Sequence, residues 1–131
     1  MLIQNFEGAN FTKIQKIEFI SRFPEVLRCL RVCWESQKHF NCGRCSKCVR
    51  TQLPFIAVTG SIPECFPTQA DETAVRKLLR TMQYGRAEDP DSPKVIVAKE
   101  LAEVMETAER NRIRHPLLKI VSNAIGGKSW C

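Results

Sequence analysis

The chain has 131 residues, 44% of them hydrophobic, and its 20 basic and 14 acidic side chains give a net charge of +6. Such a length buries one modest core, and with no stretch of about 18 apolar residues nothing in the sequence is expected to span a membrane as a helix. The positive excess is uneven, with nine basic and four acidic residues in 1–60 against eleven and ten in 61–131. That surplus is modest for a nucleic-acid binder, which needs a concentrated basic patch.

In chain order, the opening MLIQNFEGANF has no basic stretch followed by an apolar core. Export is therefore not expected, and a cytoplasmic, reducing compartment is the expectation. Residues 11–23 place Ile14, Ile17, Ile20 and Phe23 at helical spacing, with Pro24 as the expected stop. Residues 24–33 fit neither the helical nor the strand period, because Val26, Leu27, Leu30 and Val32 do not fall on one face of either.

Next comes RVCWESQKHFNCGRCSKCVRT, in which Cys33, Cys42, Cys45 and Cys48 are spaced C-x8-C-x2-C-x2-C. Thiolate sulfur is a soft ligand, and four at this spacing can close a tetrahedron around one zinc ion. Gly43 removes a side chain where the backbone must turn under the metal. The loop over residues 34–41 is long enough to return Cys33 as the fourth ligand. With all four positions filled by sulfur, such a zinc is structural, with no open position for water. Binding it through four thiolates lowers the net charge by two, to about +4, and Arg44, Lys47 and Arg50 are expected to offset the remaining negative charge.

Other chemistries compete for the same residues. A ferredoxin-type run, C-x2-C-x2-C-x3-C-P, shares its first three cysteines with this chain, but Gln52 stands where the fourth belongs. Disulfides fit poorly with an odd count of seven cysteines and no expectation of export. His39 is an alternative to Cys33, although a lone histidine in a polar loop is ordinarily solvated. Cys29 precedes Cys33 by four residues and would share its face on a helix, where it could compete as a ligand, although core packing is the expected role. Cys65 and Cys131 have no partner pattern.

Beyond the cysteines, residues 45–59 form a helix that begins in the metal site and stops at Gly60, kinked or shortened by Pro54. Residues 61–67 are a linker with two prolines. Residues 71–84 carry Val75, Leu78, Leu79 and Met82 on one helical face, with Gly85 as the stop. Residues 88–93 turn, and Ser92 is an N-cap with Pro93 in the first helical position. The helix that follows runs to about residue 110 and should bury Val97, Leu101, Val104, Met105 and Ala108. A last helix over residues 116–125 carries Leu117, Leu118, Ile120 and Val121, with Gly126 and Gly127 as its stop. The fold class is mainly α: a small helical region stapled by zinc, 1–60, followed by a three-helix segment, 61–131, packing as one unit.

The polar residues of the second half have solvated roles. Glu100, Glu103, Glu106 and Glu109 fall on an outward face, with Glu106 and Arg110 in favourable i,i+4 order. Arg110, Arg112 and Arg114 form a basic knot at a helix end. Gly126-Gly127-Lys128-Ser129 is not a phosphate loop, because the first glycine of G-x4-G-K-[ST] is replaced by Ser122.

Two stretches carry a family resemblance. Cys33, eight residues, Cys42-Gly-x-Cys45-x-x-Cys48-x-Arg50 and an apolar run to Gly60 resemble the zinc site of the 7-cyano-7-deazaguanine synthase family. Thr12-Lys13-x-x-Lys16-Ile17-x-x-Ile20 is similar to the helix before the first cysteine there, and Asn41 to Thr51 match an NCGxCxKCxRT block of related proteins. The likeness covers residues 11–60. It implies the zinc-bearing C-terminal portion, or a docking subunit, of an ATP-pyrophosphatase-like enzyme. The S-G-G-x-D-S nucleotide loop of that group is absent, so the chain is not expected to be catalytic alone and its partner would be a nucleotide-binding domain or subunit. The alternative is a free-standing zinc module that binds protein or nucleic acid.

Overall fold

A computed structural model of the chain describes residues 11–33, 41–81 and 88–125. It is mainly helical, as the sequence implies: α1 Lys13–Ile20, α2 Pro24–Cys29, α3 Ser46–Thr59, α4 Glu72–Arg80, α5 Pro93–Arg110 and α6 Pro116–Ala124. Among the described residues no helix is long and apolar enough to cross a membrane. Met82, the glycine stops at 85, 126 and 127, the 126–129 run, His39, Cys131 and the opening ten residues lie outside the described residues.

Local chemistry sets the helix ends. Thr12 starts α1 with a capping box: its hydroxyl accepts from the Gln15 N–H at 3.2 Å, and the Gln15 side chain accepts from the Thr12 N–H at 2.9 Å. Ser92 caps α5 as its sequence predicts, with Pro93 in the first turn. Gly60 closes α3 at φ 85°, in the left-handed region that glycine enters without strain.

Pro24 is not a simple stop. It opens α2 as an N-terminal proline, after α1 has ended at Ile20 and the chain has turned through Ser21 and Arg22. Residues 24–33 resolve into one short helix, α2, followed by residues 30–33 without regular secondary structure, so neither period fits the whole run. Nor does Pro54 end its helix: α3 continues to Thr59 with Pro54 buried inside it. The lost backbone donor is outweighed by a wholly buried wall, Val49, Leu53, Ile56 and Ala57.

That wall makes α3 the central element, packed against α1, α4, α5 and α6. The main core joins Ile14 of α1 to Val49, Leu53 and Ile56 of α3, Val75 and Leu78 of α4, Leu118 and Val121 of α6, and a stripe from α5. The α5 stripe comprises Val97, Leu101, Val104, Met105 and Ala108, all buried as their spacing predicts. Asn111, just past α5, donates its side-chain amide to the Ala57 carbonyl at 3.0 Å. It thereby satisfies one of the carbonyls left open at the end of α3.

Candidate metal centre

Cys33 comes from the segment after α2, Cys42 and Cys45 from the turn before α3, and Cys48 from the first turn of α3. Their four sulfurs all lie within 4.8 Å of one another. Sγ of Cys42 and Cys48 are 3.9 Å apart, and those of Cys45 and Cys33 are 3.8 Å apart. A tetrahedron with Zn–S bonds of about 2.3 Å has edges of about 3.8 Å, so the cluster fits one four-coordinate ion. Cys33 and Cys48 are buried, whereas Cys42 and Cys45 are partly exposed.

Backbone donors point at the sulfurs. The N–H groups of Arg44 and Cys45 donate to Sγ of Cys42 at 3.4 and 3.3 Å. Cys45 is also the N-cap of α3, its sulfur accepting from the Cys48 N–H at 3.4 Å. These contacts and the helix N-terminus both favour negative charge on sulfur. Burial works the other way, pushing the Cys45 and Cys48 thiols up. A cation supplies what the amides alone do not, because metal binding displaces the thiol protons.

Gly43 is required twice over. Its φ is 83°, and a Cβ there would lie 1.7 Å from the Thr68 carbonyl oxygen. The turn under the sulfurs is therefore pressed against the 68–70 segment, a contact the cysteine spacing does not disclose. Gln52, wholly buried on α3, spans the two. Its amide nitrogen donates to the Gly43 carbonyl at 2.8 Å, and its oxygen accepts from the Ala70 N–H at 2.7 Å.

Asn41 plays the matching part for Cys33. Its side-chain oxygen accepts from the N–H groups of Val32 and Cys33 at 2.9 and 3.2 Å. Its nitrogen donates to the carbonyls of Leu30 and Cys65 at 3.0 and 2.9 Å. All four hydrogen-bonding positions of the amide are thus used, fixing the segment that carries Cys33 against the linker. The sequence places Asn41 beside the first cysteine of the tight group but gives it no role. The available signal was an uncharged amide between apolar and cysteine positions, repeated at Gln52 on the inward face of a helix.

Cys65 joins the site as packing. It is buried with Cys33, Cys48 and Phe66, and burial pushes its thiol up to about 11. Phe66 is also nearly fully buried and closes the apolar side of the cluster. Cys29 does not share a face with Cys33, because α2 ends at Cys29 and the chain then extends. It is exposed rather than packed in the core.

Arg50 corrects another expectation. It engages Glu100 of α5 through two hydrogen bonds, Nε at 2.9 Å and Nη2 at 2.6 Å, instead of standing as a counter-charge to the thiolates. Glu100 is accordingly half-buried and not on the solvent side, while Glu106 and Glu109 are exposed. Arg110 reaches Glu18 of α1 at 3.6 Å, an exposed pair across helices in place of the intrahelical one. Comparison of the chain with protein-family models, with curated proteins and with solved structures finds no match.

Proposed function

We propose that the chain is a structural zinc module, the C-terminal portion or a subunit of an ATP-pyrophosphatase-like enzyme, acting by docking on a nucleotide-binding partner. The observation that carries the zinc reading is the closed sulfur cluster, four Sγ atoms within 4.8 Å with tetrahedral edge lengths. Cys33, Cys42, Cys45 and Cys48 hold the ion; zinc supplies a redox-inert cross-link between the segment after α2, the turn before α3 and α3 itself. Asn41 and Gln52 orient the backbone that presents those sulfurs.

What supports the enzyme-subunit reading is the resemblance over residues 11–60, together with exposed apolar side chains on and beside α1 and α2. Phe11, Phe19 and Val26 are exposed, and Phe19 stacks at a tilt on Phe23 with ring centres 5.3 Å apart. Exposed apolar groups collected in one region suit a protein surface. The same region and the basic excess of residues 1–60 favour a second reading, a free-standing module for nucleic acid, in which aromatic faces stack on bases.

Elemental analysis and the visible spectrum of the purified chain test the metal. One zinc per chain and no colour is expected; iron with a brown colour overturns the reading in favour of electron transfer. Fluorescence anisotropy with single-stranded and duplex oligonucleotides separates the two partner classes. No binding is expected of an enzyme subunit, whereas binding that falls steeply between 50 and 200 mM salt, by about 10³-fold or more, transfers the function to nucleic acid.

A further inference from the structure

Away from the sulfur cluster, α1, α3 and α5 enclose a groove of about 230 Å³. Its walls include Ile14, Pro54 and Val104, which are apolar, and its polar groups include Lys13, Glu100 and Glu103. Lys13 projects from the first turn of α1 and is half-buried. Glu100, which lines the groove and whose charge acts on Lys13, is already held bidentately by Arg50. Among the described residues no ion pair includes Lys13. A half-buried lysine without an ion pair therefore lines a groove with apolar walls, one of whose two carboxylates, Glu100, is committed to Arg50.

We propose that Lys13 is a nucleophilic amine and that this groove is an acylation site, taking an acyl group from an activated donor such as an acyl phosphate or a thioester. The neutral Nζ attacks the acyl carbonyl carbon. A C–N bond forms as the C–O or C–S bond breaks, the donor leaves as phosphate or thiolate, and the amine proton passes to solvent. The product is a neutral amide, so acylation replaces a poorly solvated cation beside Arg50 with an uncharged group. Acyl donors of this class need no metal, and the step is independent of the sulfur cluster.

The surroundings of the amine agree in sign. Burial is the largest influence on Lys13; Glu100 opposes it, Arg50 and Lys16 reinforce it, and the pKa falls from 10.5 to about 8. Lys99 and Glu103, which also line the groove, bring one charge of each sign. At pH 8 about half of such an amine is neutral, against about 0.3% of an ordinary lysine. Lower basicity costs intrinsic nucleophilicity, so the net advantage is about tenfold in rate.

The test treats the zinc-loaded full chain with acetyl phosphate at pH 8 and follows each lysine by peptide mass spectrometry. Lys13 should acetylate about tenfold faster than Lys16, the exposed neighbour on the same helix, and the preference should shrink above about pH 10. It should also vanish in urea, where the groove no longer exists. Equal or slower labelling of Lys13 overturns the proposal, as does a preference that survives unfolding. Lys13→Arg keeps the charge and removes the acceptor; the fast phase must disappear in it, and its persistence places the reactive amine elsewhere.

Discussion

Two cores hold this chain together, and they differ in kind. The larger joins Ile14, Leu53, Ile56, Val75, Leu101, Leu118 and their neighbours by apolar contact alone. The smaller contains Cys33, Cys48, Cys65 and Phe66, with Leu30 and Val32 partly buried beside it. Its backbone segments are extended or turned, and they are tied by the Asn41 and Gln52 amides instead of by packed helices. A region with one buried aromatic ring cannot offset the ordering cost of that much irregular backbone. A metal cross-link can. α3 belongs to both, beginning at the sulfurs and ending in the apolar core, so it is the element through which the two would communicate.

Removing the ion should separate them most sharply. Structural zinc contributes about 10–16 kcal/mol in small zinc-folded peptides, far more than any single contact here. Chelation at pH 7 is expected to abolish amide protection in residues 30–33 and 41–45 while leaving protection in α5 and α6. Hydrogen exchange measures both at once, and protection lost uniformly across the chain would show one core, not two. Leu101→Ala tests the other side. Leu101 is 2% exposed, and its truncation should cost about 2–5 kcal/mol in denaturant unfolding with zinc stoichiometry unchanged.

The same division decides what was legible in the sequence. The α5 stripe from Val97 to Ala108 and the cap at Ser92 follow from spacing and residue type, since a packed amphipathic helix obeys its own period. Ligand spacing likewise nominates Cys33, Cys42, Cys45 and Cys48, and the structure brings those four sulfurs together. What escaped depends on residues distant in sequence. The Thr68 carbonyl under Gly43, the Asn41 bond to Cys65 and the Arg50 pairing with Glu100 each join segments 18 or more residues apart. No local period encodes such contacts. The end of α5 at Arg110 falls where the sequence put it, but the residue that turns the chain there did not show: Arg112 occupies the left-handed position, φ 57°, where glycine is the usual signal. The Ile113 N–H still closes the helix by donating to the Ala108 carbonyl at 2.9 Å.

Asn41→Ala sharpens the comparison at the level of one side chain. It leaves the Val32 and Cys33 N–H groups and two carbonyls without partners in a buried place, at about 1–3 kcal/mol for each group that water does not reach. Because those bonds position the segment that carries Cys33, zinc affinity should fall about 10–100-fold. Competition against a chromophoric chelator measures it. Unchanged affinity would mean that the sulfurs alone set the site and the amide is dispensable.

The smallest expected effect lies in the apolar core's own electrostatic blemish, Lys13. Its pKa is lowered from 10.5 to about 8 in the folded chain, so the folded state binds fewer protons than the unfolded state between those values. Stability attributable to this group must therefore rise with pH across that window. The penalty is fully present below about pH 8 and absent above about 10.5. Lys13→Met removes it, and the variant should exceed the parent by about 1–2 kcal/mol at pH 7, converging with it as pH approaches 10. Unfolding by urea at pH 7, 8, 9 and 10 reads the difference directly. A constant gap would trace the gain to added apolar contact alone, and no gap would mean that the groove solvates the ammonium as well as bulk water does. Convergence would locate the cost in the buried charge. The apolar half of the molecule would then carry a titratable fault of its own, independent of the sulfur cluster.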